Sequence, residues 1–230
     1  MTDVSGTARR RAVTDETGRY TVLYPAIAEA ADRAGAAAIG LIDIGRPAAL
    51  NLCVDRVGVT YSDGLFLGEP NSSVQESCSI VHDGSVPDRA LPRVVTRVSV
   101  TRDRPDVEDA LLAANPPVRF CGDIVDLLPE AIAAVPGDAL PVVTTTWALS
   151  RLPVARRPLF VQRLRDAAAR RTVAWVSAEG VGVAPSVPTL GDRPASGHSI
   201  VGIAVYEGAG EHVDAVARCW SRGRILDWFH

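Results

Sequence analysis

The 230-residue chain contains no lysine; all 24 of its basic residues are arginine. Schiff-base chemistry, attachment of pyridoxal phosphate and the phosphate-binding P-loop each need a lysine amine, so all three are excluded. The four cysteines, Cys53, Cys78, Cys121 and Cys219, form no C-x-x-C pair and have no histidine cluster beside them. Zinc needs closely spaced ligands, so no structural metal is expected. Cysteines scattered through apolar runs read instead as buried thiols in a reducing compartment. There is no G-x-S-x-G elbow, and His82, His198, His212 and His230 have no partners at triad or metal spacing, so nothing supports a hydrolase. No apolar run approaches a membrane span, and the Arg9-Arg10-Arg11 run lacks the apolar segment of a twin-arginine signal. A basic face is missing as well: the formal net charge is −3, with acids and bases mixed. That argues against nucleic acid as the partner. The expectation is a cytoplasmic protein that meets neither nucleic acid nor membrane.

What is present is 47% apolar composition, enough to bury the core of one α/β domain. Residues 1–13 are short and polar and read as disordered; residues 14–230 read as a single domain with no linker and no internal repeat. "TDETGRYTVLYPAIAEAADRAG" places Tyr20, Leu23, Ile27, Ala30 and Ala34 on one helical face, with Thr14 or Asp15 as cap and Gly35 as stop. "AAAIGLID" follows as a buried strand, continuously apolar as a central parallel strand should be. "VGVTYSDGLFLGE" alternates around Asp63-Gly64, a hairpin signal, and "SVQESCSIV" extends it, so a small antiparallel insertion is expected over 57–83. The α/β rhythm then resumes through "VVTRVSV", a short helix near 106–114, "VRFCG", helix "DIVDLLPEAIAAV", "PVVTTT", helix "RPLFVQRLRDAAARR" and "VAWVSAEG". "HSIVGIAVYE" and "DAVARCWSRGRILDWF" read as two closing strands joined at Gly208 to Gly210. The fold class expected is α/β. It is a Rossmann-like, class I S-adenosylmethionine methyltransferase-type open sheet, mostly parallel, with a C-terminal antiparallel hairpin.

In a parallel open sheet, ligands bind beyond the carboxyl ends of the strands. That rule selects Asp43 and Gly45 after the first strand, Thr101 and Arg102 after the second, and Asp123 after the third. It also selects Thr145, Thr146 and Trp147 after the fourth, and Glu179 with Gly180 after the fifth. In "LIDIGRPAALNL" the acid-x-Gly turn lets the backbone approach a cofactor's amino-acid end, with Asp43 engaging its ammonium group. Ala49 stands where the last glycine of such a turn belongs, and Pro47 removes an amide donor. No carboxylate stands at Thr101 to hold the ribose. Each residue also has a plain structural reading. Asp43 and Asp123 serve equally as helix caps, Trp147 as core, Thr144 to Thr146 as strand formers, and the arginines of 156–171 as a solvated helix face.

The chain resembles the actinobacterial domain of unknown function 2332 family, whose "EVGASAGLNL" turn corresponds to "DIGRPAALNL" here, followed by "VDRVGVTY". Further matches are "TDETGRYTVLYPAI", "RVSVTRDRPDV", "GDIVDLLPEAI", "TTWALSRLP" and "RCWSRGRILDWF", so the resemblance runs from about Arg10 to the end. It implies a methyltransferase-like fold, and by position it marks Asp43, Gly45, Leu50, Asn51, Asp55, Arg56, Asp123 and Trp147. Asp55 and Arg56 either anchor the inserted hairpin or face the pocket. Members are typically longer, with a helical region ahead of the first helix and a Trp-containing segment before the third strand. Their absence implies uncovered apolar surface and a homodimer.

The expected function is therefore that of an S-adenosylmethionine-dependent methyltransferase-like protein acting on an unknown small molecule. Asp43, Gly45, Asn51, Thr101, Asp123, Thr146 and Trp147 would hold the cofactor, and Asp123 or Glu179 would serve as base. Two alternatives stand beside it: a non-catalytic protein of this fold acting through a partner, and a different reaction in the same cleft, in a specialised biosynthetic pathway.

Overall fold

The structure is a computed structural model that describes residues 19–45, 50–102, 112–113 and 115–229. The expected disordered segment 1–13, the caps Thr14 and Asp15, most of the helix near 106–114, and the turn residues 46–49 lie outside the described residues. An 11-stranded sheet forms the frame, in the order β3-β2-β4-β11-β10-β9-β8-β7-β1-β5-β6. Its parallel half comprises β1 (Ala38–Ile44), β5 (Arg93–Thr101), β6 (Val118–Cys121), β7 (Leu140–Thr146) and β8 (Val173–Gly180). Its other half comprises β2 (Gly58–Tyr61), β3 (Phe66–Gly68), β4 (Gln75–Ile80), β9 (Ser199–Glu207), β10 (Gly210–Trp220) and β11 (Ile225–Trp228). Among the described residues no helix is long and apolar enough to cross a membrane.

Central strands β1, β7 and β8 are buried along nearly their whole length, which is why they read as continuous apolar runs. Their alternating side chains feed two cores. On one face Leu41, Val142 and Val176 pack under α1 (Arg19–Arg33) and the 3-10 turn Leu50–Arg56, through Leu23, Ile27, Leu52 and Val54. On the other, Ile42, Val143 and Trp175 pack under α2 (Leu128–Ala133) and α3 (Arg157–Ala168), through Leu128, Ile132, Phe160 and Leu164. Leaving β1, the chain crosses on the α1 face to β5; from β6 to β7 and from β7 to β8 it crosses on the α3 face. The winding direction reverses between β1 and β7, and such a reversal opens a crevice beyond the strand ends.

Pro25 sits inside α1 and cannot donate the bond that the Thr21 carbonyl would otherwise accept. The Tyr61 hydroxyl takes that place, donating to the Thr21 carbonyl at 2.6 Å. An imino acid in the helix thus creates the acceptor that fastens β2 to it. Segment 57–83 differs from the expected antiparallel insertion. β2 and β3 form the hairpin around Asp63-Gly64, but β4 pairs parallel with β2 and then parallel with β11. The segment therefore extends the main sheet as its outer edge.

Two further expectations are corrected. The helix read from "DIVDLLPEAIAAV" is confined to α2, because Asp123 turns the chain first by accepting from the Val125 and Asp126 amides at 2.9 and 3.3 Å. The closing segment holds three strands rather than two: Ser221 and Arg222 adopt positive φ of 48° and 58° and separate β10 from β11. Cys53, Cys78 and Cys219 are buried, and burial pushes the Cys78 and Cys219 thiols up to about 12. Cys121 is exposed, unlike the expectation for all four.

Candidate functional site

At the carboxyl ends of β1 and β7, on the α1 face, polar side chains gather where the pattern of the same strands is otherwise apolar. Asp43 is 2% exposed and lies in register with Ser99 of β5 on one side and Thr144 of β7 on the other. The Asn51 amide, carried by the 3-10 turn after β1, donates to Asp43 Oδ1 at 2.7 Å and to Thr146 Oγ1 at 2.8 Å. The Thr144 hydroxyl lies 3.3 Å from the same Asp43 oxygen. Burial drives the Asp43 carboxyl up to about 6, against the Asn51 bond, the Arg19 charge and the Thr144 bond, which all favour the anion. An acid so placed gives up its proton closer to neutrality than a free aspartate does, and a further cation would favour the anion.

The α1 face supplies the counter-charge. Arg19, itself buried, reaches Thr146 Oγ1 at 3.5 Å, and its guanidinium lies 5.4 Å above the centre of the Trp147 ring. Trp147 is half-buried, donates from Nε1 to Ser199 Oγ at 2.8 Å, and adopts a left-handed φ of 50°. Its ring is thereby clamped between β9 and α1. Two atoms of this cluster make no hydrogen bond among the described residues although their residues are buried: Asn51 Oδ1 and Ser99 Oγ. Unpaired buried polar atoms cost roughly 1–3 kcal/mol each. A ligand that supplied them with donors and acceptors would recover that cost.

Gly45 closes the β1 turn with φ 112°, and a Cβ there would stand 2.6 Å from the Ala148 Cβ. The glycine of the acid-x-Gly turn is therefore required by conformation and by contact. The turn residues Arg46, Pro47 and Ala49 lie outside the described residues.

The cluster thus unites Asp43, Asn51, Thr146 and Trp147 of the expected set, with Gly45 packed beside them on Ala148. Three expected residues lie elsewhere. Thr101 is buried at the end of β5 with its hydroxyl 4.0 Å from Cys121 Sγ, turned toward β6. Asp123 accepts from Arg156 at 2.5 Å and from two backbone amides. Burial, the largest single influence, raises its pKa, but Arg156 and those amides together outweigh it and leave the carboxyl below its ordinary value. An acid held so firmly as an anion is a poor proton acceptor, which corrects its expected role as base. Glu179 points to the opposite, α3 face, where it accepts from the Ala148 and Leu149 amides at 2.9 and 3.0 Å. It braces the segment that follows Trp147 and does not enter the Asp43 cluster.

Asp55 anchors rather than lines the pocket. It is ion-paired with Arg97, whose Nε also donates to the Leu52 carbonyl at 3.0 Å and ties the 3-10 turn to β5. Of the arginines of 156–171, Arg163 and Arg170 are exposed as a solvated face requires, whereas the others are half-buried. Arg156 holds Asp123 and Asp126, Arg165 pairs with Glu211, and Arg171 binds the Val135 and Pro136 carbonyls behind α2. Sequence reasoning missed Arg19, Ser99 and Ser199, and took Thr144 for a strand former. Arg19 carried a usable signal: a charge four residues before Leu23, on the helical face that is otherwise apolar. His198 also has a partner unseen in the sequence, Asp192 at 2.9 Å, which is shared with Arg218 at 2.7 Å.

A family model described as "Uncharacterized protein conserved in bacteria (DUF2332)" matches residues 2–115 and 102–228. The chain belongs to this family. The first DUF2332 segment carries Arg19, Asp43, Asn51 and Ser99, and the second carries Thr144, Thr146, Trp147 and Ser199, so both are needed to assemble the site. No curated protein and no solved structure matches the chain.

Proposed function

We propose that the strand-end cluster is the cofactor site of an S-adenosylmethionine-dependent methyltransferase-type protein acting on a small molecule. The observation that carries this reading is the buried Asp43–Asn51–Thr146 network at the reversal between β1 and β7, with the Asn51 carbonyl oxygen unpaired among the described residues. The residues fit the amino-acid end of the cofactor. Asp43 gains from an ammonium group, Asn51 Oδ1 gains a donor, and Gly45 keeps the turn clear of a side chain. The nucleoside end is held by fewer groups, since Thr101 replaces a ribose-binding carboxylate and Asp123 is already bound to Arg156.

When bound, the cofactor supplies an electrophilic methyl group on a sulfonium. The chain's own contribution is binding and orientation: Asp43 and Asn51 fix the amino end, and Trp147 and Arg19 form the wall toward β9. With Asp123 a firm anion and Glu179 on the far face, proton removal falls to the substrate's own acidity or to water.

A second reading, a non-catalytic protein of this fold acting through a partner, is favoured by one observation. Arg19 already supplies a positive charge to Asp43 without any ligand. Isothermal titration of the full chain with S-adenosylmethionine and S-adenosylhomocysteine separates the two. The first reading expects one saturable site per chain at micromolar affinity, weakened by on the order of tenfold or more in Asp43→Asn. No heat at millimolar ligand from folded protein overturns it in favour of the second.

A further inference from the structure

The row of side chains that carries Asp43 continues to the edge of the sheet. Asp43 of β1 stands in register with Ser99 of β5, and Ser99 with Arg119 of β6, so all three leave the sheet on the α1 face. Neighbouring strands lie about 4.8 Å apart, which puts the Arg119 Cα about 10 Å from that of Asp43, with Ser99 midway. One small ligand spans that distance. An arginine on an edge strand ordinarily keeps its charged head in water. Arg119 is half-buried, and its Nη1 is buried without a hydrogen bond among the described residues. Ser99, 1% exposed, likewise leaves its Oγ without a partner there, as Asn51 leaves its Oδ1 beside Asp43. The carboxylates of the flanking elements are already engaged: Asp55 of the 3-10 turn pairs with Arg97, and Asp123 after β6 pairs with Arg156. A buried donor on a cation costs more to leave unmet than a neutral one, and native structures seldom do so without a use for it. The row thus runs from carboxyl through hydroxyl to guanidinium, with unmet polar atoms along its length.

We propose that Arg119 is the second charged anchor of the strand-end site and receives the carboxylate or phosphate group of a small acid, with Ser99 bonding to the same ligand. A guanidinium presents paired donors in one plane, which match two oxygens of either anion. The inference rests on the reading of the strand ends as a ligand site, and it names the charge that the ligand carries toward β6. Two sources supply such an anion. One is the carboxylate in the amino-acid end of S-adenosylmethionine itself, with the neighbouring ammonium on Asp43. The other is a separate acidic substrate bound beside the cofactor. A ligand set with no acidic group leaves Arg119 Nη1 unmet.

The test compares the full chain with Arg119→Gln by isothermal titration against malonate, inorganic phosphate and S-adenosylmethionine, at ionic strength matched with chloride; neutral malonamide is the control. The expected result is saturable binding of at least one of the three by the parent, no heat from malonamide, and a loss of on the order of tenfold or more in the variant. Loss confined to S-adenosylmethionine assigns the anion to the cofactor's own carboxylate. Loss confined to malonate or phosphate assigns it to a separate substrate. Arg119→Lys keeps the charge without the paired donors, so its affinity falls between parent and Arg119→Gln. Without ligand, Arg119→Gln melts at or above the parent temperature, because the substitution removes a charge whose buried nitrogen has no partner among the described residues. The proposal is overturned if no binding is weakened in Arg119→Gln, or if that variant melts well below the parent, which would make Arg119 a structural residue. Should S-adenosylmethionine bind parent and variant alike while neither anion binds saturably, the proposal falls and the methyltransferase reading stands. Should an anion bind and be lost in the variant while S-adenosylmethionine never binds, the reverse holds.

Discussion

Two carboxylates end neighbouring parts of the same sheet on opposite faces, and the protein treats them differently. Asp43 faces α1 and is served by side chains: the Asn51 amide and the Thr144 hydroxyl, with Arg19 at the edge. Glu179 faces α3 and is served by backbone: the amides of Ala148 and Leu149. Burial raises both, Asp43 to about 6 and Glu179 to about 7. Backbone amides at Glu179 belong to a turn that must be capped in any state of the protein, so that carboxyl does structural work. Side-chain donors around Asp43 bring atoms that are unpaired among the described residues, and of the local backbone only Ile44 bonds to Asp43. A network that costs energy without bracing a turn is where a ligand belongs.

The largest effect that sharpens this contrast is the dependence of stability on pH. Each carboxyl binds its proton more tightly in the folded chain than in the unfolded one, where the ordinary values are 3.8 and 4.5. Between pH 4 and pH 7 the unfolded state therefore gives up protons first. The contribution of both groups to stability is fully present below the unfolded values and is lost as pH rises through about 6 for Asp43 and about 7 for Glu179. Asp43→Asn should match the parent in urea unfolding at pH 4 and exceed it at pH 8 by up to about 3 kcal/mol. Glu179→Gln should gain less. Its amide oxygen keeps the two backbone bonds, but its NH2 group enters the place of Glu179 Oε2, which has no hydrogen-bond partner among the described residues. Equal gains would dissolve the distinction between the two faces.

Next in size is Gly45→Ala, which acts in the turn after Asp43 and presses on Ala148, whose amide serves Glu179. A positive φ of 112° disfavours any side chain, and the new methyl meets the Ala148 Cβ at 2.6 Å. Thermal unfolding should show a loss of about 2–3 kcal/mol. Adding Ala148→Gly should return the part due to the contact but not the part due to φ. Full recovery in the double variant would mean that conformation plays no role at this turn.

The centre of the parallel half, β1, β7 and β8, was legible in the sequence because these strands are buried on both faces and read as largely apolar runs. The strand-end rule then led from those runs to Asp43, Thr146 and Trp147, and the family resemblance added Asn51. Three things escaped. The parallel pairing of β4 with β2 and β11 depends on long-range register, which alternation within one strand cannot reveal. The division of the last segment at Ser221 and Arg222 was hidden because neither residue favours the left-handed backbone that both adopt. The sorting of Asp43 and Glu179 onto opposite faces follows from strand parity, and parity can be read only once each strand's start is known. Asp123 shows the cost: it ends a strand as the rule demands, yet its partner Arg156 lies 33 residues away.

Asp123→Asn gives the smallest expected effect and tests that correction. The amide oxygen of asparagine still accepts from the Val125 and Asp126 amides, so the turn ahead of α2 is retained. Only the ion pair with Arg156 and Asp126 is weakened, and the side chains involved are 31–60% exposed. Exposed pairs contribute little and are screened by salt. The melting temperature should therefore move by less than about 2 °C, and by less still as salt is raised. Titration with S-adenosylmethionine should be unchanged. A loss of cofactor affinity comparable to that of Asp43→Asn would return Asp123 to the site. It would require Arg156 to release the carboxylate when ligand binds, so the cofactor would be held along the sheet's carboxyl edge as far as the turn after β6.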